Sequence, residues 1–159
     1  MYIPEIPNNS LKDALEEIVY IAQKAEETGL MHLRFLFNTP ASEVDILKCE
    51  KALNINLADD YKDFLRFSNG ATLCYNDAVF YSISDIISYD ELEKSDDFPS
   101  DYIMIADIIG DGEVLCFSRK KGIFVSCFDG EEETFNSFLD FLKKIVSFIR
   151  NNVEEQIEL

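Results

Sequence analysis

Asp107, Asp111 and Glu113 put three carboxylates in one short stretch, a grouping that suits a hard cation or an acid–base pair. Their spacing matches no calcium-binding loop. Gly110-Asp111-Gly112 is too short to cradle a phosphate and opens no helix, so the stretch reads as a surface turn. His32 is the only histidine and has no Ser or Cys partner in sequence, so no nucleophile–base pair can be drawn. The cysteines Cys49, Cys74, Cys116 and Cys127 lack CxxC spacing and lie among apolar residues, which points to reduced, buried thiols rather than a zinc site. Arg119-Lys120-Lys121, the one basic cluster, reads as a hairpin tip. No catalytic residue, cofactor or metal is expected. Glu50 differs: it sits on an otherwise apolar helix stripe, where a half-buried carboxylate needs a donor and would lock a loop or a helix start.

Charge is the chain's strongest property. Thirty-one acidic residues stand against 14 basic ones, a net charge of −17 over 159 residues. Such a surface repels phosphate backbones and anionic lipid and attracts basic proteins. One acidic segment holds Asp77, Asp85, Asp90, Glu91, Glu93, Asp96, Asp97 and Asp101 against Lys94 alone; a second holds Asp129, Glu131, Glu132 and Glu133. Tyr75, Phe80, Tyr81, Tyr89 and Phe98 are interleaved with the first. Two readings stand level: aromatic anchors in an acidic docking surface, or a solvated acidic face with its aromatics turned inward.

The elements that would position these groups follow from periodicity. Ser10 is a candidate N-cap for an amphipathic helix through Leu11, Leu15, Ile18, Val19, Ala22 and Ala25, ended by Gly29. Residues 30–38 read as a strand. Thr39 or Ser42 can cap a helix over 43–53. The run LADDYKDFLRFSNG, residues 57–70, combines acidic residues at a helix start, a stripe of Tyr61, Phe64 and Leu65, and Asn69-Gly70 as a left-handed stop. Strands are expected over 71–75, 78–83, 102–108, 114–117 and 122–128, and a short helix around 89–94. A helix over 134–150 carries Phe135, Phe138, Leu139, Leu142, Ile145, Val146 and Ile149. The tail, 151–159, reads as polar and frayed. The fold class is α+β: N-terminal helices, a mostly antiparallel twisted sheet and a closing C-terminal helix. Hydrophobic content of 47% and the chain length suit one packed domain. The N-terminus lacks the basic start and apolar block of a signal peptide, and no apolar run is long enough to span a bilayer, so a cytoplasmic location is expected.

Three segments in order resemble the SUKH superfamily, the Smi/Knr cell-wall-regulator-like proteins: the helix of Ile46, Glu50 and Leu53 leading into LADDYKDFLRFSNG, then IADIIGDGEVLCFS, then the closing helix with Phe135, Phe138 and Leu139. Ala58 stands where family members usually have proline. The resemblance covers 42–150, with 1–41 as a helical extension. It marks Glu50, Tyr61, Phe64, Leu65, Asn69, Gly70, Gly110 and Gly112 as structural. It implies a non-catalytic protein-binding domain. Many bacterial members are immunity proteins that neutralise polymorphic toxins, often nucleases; fungal relatives regulate cell-wall synthesis through protein contacts. The expected partner is a basic toxin domain, with no direct nucleic acid or membrane contact, the chain acting as a monomer or weak homodimer. The expected contact residues are Tyr75, Asp77, Tyr81, Asp85, Tyr89, Asp96, Asp97, Asp111, Glu113, Asp129, Glu131 and Glu132. The alternative is a regulatory scaffold; a small enzyme ranks third.

Overall fold

A computed structural model describes residues 1–92, 99–108 and 112–157. Five helices, α1 (Lys12–Glu27), α2 (Glu43–Leu53), α3 (Asp59–Phe67), α4 (Ile83–Leu92) and α5 (Phe138–Glu154), accompany seven strands. These are β1 (Leu36–Phe37), β2 (Ala71–Leu73), β3 (Ala78–Phe80), β4 (Tyr102–Ile108), β5 (Glu113–Ser118), β6 (Phe124–Phe128) and β7 (Glu131–Phe135). Each strand pairs antiparallel with the next, in sheet order β1 to β7. The α+β class and the antiparallel sheet are as the sequence implied.

The alternation of side chains gives the sheet two unlike faces. Phe37, Ala71, Phe80, Ala106, Leu115 and Ser126 form one cross-strand row, and all are buried. Their face meets α3 and α5. Tyr61 and Phe64 of α3 and Phe138 and Phe141 of α5 pack ring to ring with Phe80, Phe124 and Phe135 at centroid distances of 4.9–6.3 Å. Such pairs each add about 1 kcal/mol beyond the area they bury. The next row, Leu36, Thr72, Val79, Asp107, Val114, Cys127 and Glu132, is half-buried or exposed throughout. α3 and α5 cover the first face; on the second this row is partly exposed, while Cys116 and Val125 on the same face are buried and α4 packs against β4. A register shift between Met104 and Ala106 puts a bulge in β4, and the Ile105 carbonyl there accepts the Tyr81 N–H at 2.9 Å.

Several local expectations change. Leu11, not Ser10, is the N-cap of α1, and the Ser10 hydroxyl donates to the Asp63 carboxylate at 2.6 Å. Residues 30–38 hold a single 3-10 turn, Met31–Leu33, and only two strand residues. Ser42 caps α2 in a reciprocal box with Asp45. The helix expected around 89–94 begins earlier, at Ile83, where the Ser82 hydroxyl accepts the Asp85 N–H. Thr134 and Phe135 belong to β7, not to the final helix, which starts after the Ser137 cap. The tail is helical to Glu154 and Val153 is fully buried, because α5 runs on under the core instead of fraying. Helix α1 packs on α5 and shares the single hydrophobic core, with Glu17 and Arg150 joined at 2.9 Å.

The Ser68-Asn69-Gly70 corner fixes the relation of helices to sheet. Ser68 leaves α3 in an extended conformation; Gly70, at φ +88°, is the residue that needs left-handed backbone, and Asn69 does not take it. A Cβ on Gly70 would meet Ser82 N at 2.8 Å and Phe80 O at 2.9 Å. Gly70→Ala is therefore expected to cost about 2–4 kcal/mol, read as a lowered midpoint in urea with little change in slope.

Candidate functional site

Each half of LADDYKDFLRFSNG is used at a distance. The Asp60 carboxylate accepts the Leu139 N–H at 2.9 Å, so it neutralises the start of α5 rather than its own helix. Asn69 Oδ1 accepts the Ile83 N–H at 2.9 Å, its backbone N–H reaches the Thr39 carbonyl at 3.0 Å, and its carbonyl accepts from the Asn38 side chain at 2.8 Å. The Ser68 hydroxyl accepts the Asn38 N–H at 2.9 Å and donates to the Gly70 carbonyl at 2.5 Å. Tyr61, Phe64 and Leu65 are buried. Glu50 accepts the Leu57 N–H at 2.9 Å and lies 3.4 Å from the Lys62 ammonium, holding the connector into α3. The segment is occupied with holding the fold together.

The sequence-expected contact residues divide. Asp96, Asp97, Asp111 and Gly110 lie outside the described residues. Gly112 is exposed in the turn before β5, at φ +97°. Asp77 accepts the Asn152 amide at 2.7 Å and tethers α5. Tyr81 is buried, its ring tilted against Tyr89 of α4 at a centroid distance of 4.8 Å; burial first, and the Asp107 carboxylate beside it second, push its hydroxyl pKa up. Glu113 accepts the Ser126 hydroxyl at 2.6 Å on the covered face. Asp85 is exposed on the first turn of α4. Tyr75, 53% exposed, follows Cys74 through a turn in which both residues take positive φ, 50° and 60°. The turn is closed by the Asp77 N–H donating to the Cys74 carbonyl at 3.2 Å.

Asp129, Glu131 and Glu132 come together, on the turn and edge strand that close the sheet. All three are exposed. Glu132 ends the partly exposed row beside Cys127 and accepts the Tyr102 hydroxyl at 2.9–3.0 Å. Partial burial and that bond raise the Tyr102 pKa to about 12. Glu133 points to the other face and pairs with Lys144 of α5. Sequence reasoning did not find Met104, Val114 and Cys127, which give the second face its apolar middle. The period-2 alternation of β4 to β6 was the available signal.

Thiol chemistry is graded across the molecule. Burial raises Cys49 to about 11 and Cys74 to about 12. Cys116 and Cys127, diagonal neighbours on β5 and β6, share a hydrogen bond that raises Cys116 and lowers the half-exposed Cys127. His32 Nε2 lies 3.4 Å from the Gln156 side chain. Among the described residues, no group of three or more His, Cys, Asp or Glu is placed to hold a metal ion, and no helix is long and apolar enough to cross a membrane.

An antiparallel seven-stranded meander, with α3 and α5 on one face and a partly exposed acidic and apolar row on the other, makes a small α+β domain. The model of the SMI1 / KNR4 family (SUKH-1) matches residues 40–144, and the chain belongs to that family. It is also 35% identical over 71 residues to the uncharacterized protein YnaB of Bacillus subtilis (strain 168), a stretch covering 45% of this chain and 46% of YnaB. The chain thus matches about half the length of that relative.

With iodoacetamide at pH 8, Cys127 is expected to be alkylated first, and Cys49, Cys74 and Cys116 only at the rate of global opening. Peptide mass spectrometry over time reads this directly.

Proposed function

We propose that this protein is a non-catalytic, cytoplasmic immunity protein that neutralises a basic, nucleic-acid-degrading toxin by covering its cationic cleft. One observation carries the reading: half of the chain's 14 cations are spent on internal pairs while its sheet-edge acids are exposed. Lys12, Lys24, Lys62, Arg66, Arg119, Lys144 and Arg150 each bridge a carboxylate of the same chain. Asp129, Glu131 and Glu132 are exposed on the turn and edge strand that close the sheet, with Glu132 on the same face as Cys127 and Glu131 on the reverse. Their charge steers a basic partner. The apolar middle, Met104, Val114 and Cys127, supplies contact area once it arrives. Family membership supports the same reading.

The test begins with affinity purification from the source cell and expression of the co-purifying protein in a naive host. Growth arrest by that protein alone, relieved by co-expression of this chain, is the expected result; a harmless partner contradicts it and favours the regulatory alternative. Glu131→Lys with Glu132→Lys is expected to slow association about tenfold or more at low salt and flatten its salt dependence. Unchanged association kinetics would remove this edge from the interface.

A further inference from the structure

At the end of α1, beside β1, Met1, Tyr2, Leu30, Met31 and Leu36 line a cavity of ≈350 Å³. Each is 41–65% exposed, so the corner gathers apolar side chains that water wets. At the ~30 Å³ that a water-sized group takes up in a liquid, the cavity holds about a dozen heavy atoms. That is the scale of a small-molecule site.

The lining has one uncommitted charge. Phe35 and Phe37 turn inward, while Arg34 and Leu36 between them stay exposed. The Arg34 backbone is fixed on both sides: its N–H donates to the Met31 carbonyl at 3.3 Å, and its carbonyl accepts the Tyr75 N–H at 2.7 Å. Arg66, Arg119 and Arg150 each pair with a carboxylate; among the described residues Arg34 pairs with none. Glu26, the acid in the same lining, is held by the Met1 ammonium at 2.8 Å instead. Arg34, Met1 and Glu26 thus leave the cavity with a net positive charge, on a chain of net charge −17.

We propose that this cavity binds a small amphipathic monocarboxylate, with its carboxylate on Arg34 and its aliphatic body against Tyr2, Leu30, Met31 and Leu36. Charge selects the head group. A guanidinium takes a carboxylate through two parallel N–H···O bonds, and the ligand's apolar body, by excluding water beside them, strengthens both. A cationic head would meet Arg34 and the Met1 ammonium, and a more highly charged anion would be turned away by the field of the whole chain. The unbranched thioether side chains of Met1 and Met31 adapt to an alkyl chain. β1 and β7 lie at opposite ends of the sheet, so this site is separate from the acidic edge assigned to the toxin, and either reading can fail alone.

Calorimetric titration of the full chain at neutral pH tests it, with octanoate, octan-1-ol and acetate as probes. Octanoate should bind once per chain with a Kd of about 0.1–1 mM. Octan-1-ol, which lacks the charge, should bind about tenfold more weakly, and acetate, which lacks the apolar body, not measurably. Arg34→Gln should weaken octanoate to the level of the alcohol while leaving the alcohol's own affinity and the thermal melt unchanged. Arg34→Lys should keep part of the preference, since it restores the charge without the fork. Leu36→Asp should abolish octanoate binding by placing a like charge in the lining. No binding of octanoate, equal affinity for octanoate and octan-1-ol, or a preference that survives Arg34→Gln overturns the proposal. So does a dimer of the unaltered chain that Leu36→Asp disrupts, since a second copy would then occupy the cavity.

Discussion

Asn69 makes the contact on which the rest of the structure depends. Its side-chain oxygen holds the first N–H of α4, its backbone N–H holds the chain before α2, and its carbonyl holds Asn38 beyond β1. An orphan donor at a helix start is a donor that water would otherwise satisfy. Supplying it from the corner after α3 orients α4 against the same point from which β2 departs. Gly70 completes the joint, since its Cα lies so close to the Phe80–Ser82 backbone that no Cβ fits between. Ser68, fully buried, closes the ring of hydrogen bonds. Three helices and three strands thus take their relative positions from three consecutive residues.

From that joint the division of labour between faces follows. The aromatic stripes of α3 and α5 need one sheet face whole, and the ring contacts around Phe80, Phe124 and Phe138 fill it. Asp60 extends the arrangement by capping α5 from α3, so the two stripes are locked in register by a charge at a helix end. Arg119 does the same elsewhere, joining Asp90 of α4 to the Leu53 carbonyl at the end of α2. The apolar middle and acidic margin of the second face belong to different strands and meet only because the register places Cys127 opposite Glu132.

Much of the fold was legible. The stripes of α1, α2, α3 and α5 and the apolar strands β4 to β6 show in their periods, and Ser42 announces its helix. The errors share a cause. EEETF lacks the apolar alternation of a strand because an edge strand exposed on both faces has no buried side to encode. The strand expected over 78–83 stops at Phe80, and α4 starts at Ile83 because the Ser82 hydroxyl and the Asn69 side chain, 14 residues before Ile83, accept N–H groups of its first turn. Asn69-Gly70 was legible as the break after α3, although only Gly70 is left-handed there, and Asn69 was not legible as a long-range acceptor. Tyr81 and Tyr89 looked alike in sequence; the fold buries one under the other. The acidic edge was visible as a charge run, whereas its meeting with Met104, Val114 and Cys127 required the register.

Native-state hydrogen exchange tests the central claim most directly. Amides in the first turn of a helix ordinarily exchange fast, having no partner within the helix. If the Asn69 corner holds the fold together, the Ile83 and Asn69 amides exchange only through global unfolding, with free energies and denaturant slopes equal to those of core amides in β4 and β5. An Ile83 amide that opens locally, at low free energy and without dependence on denaturant, would contradict it.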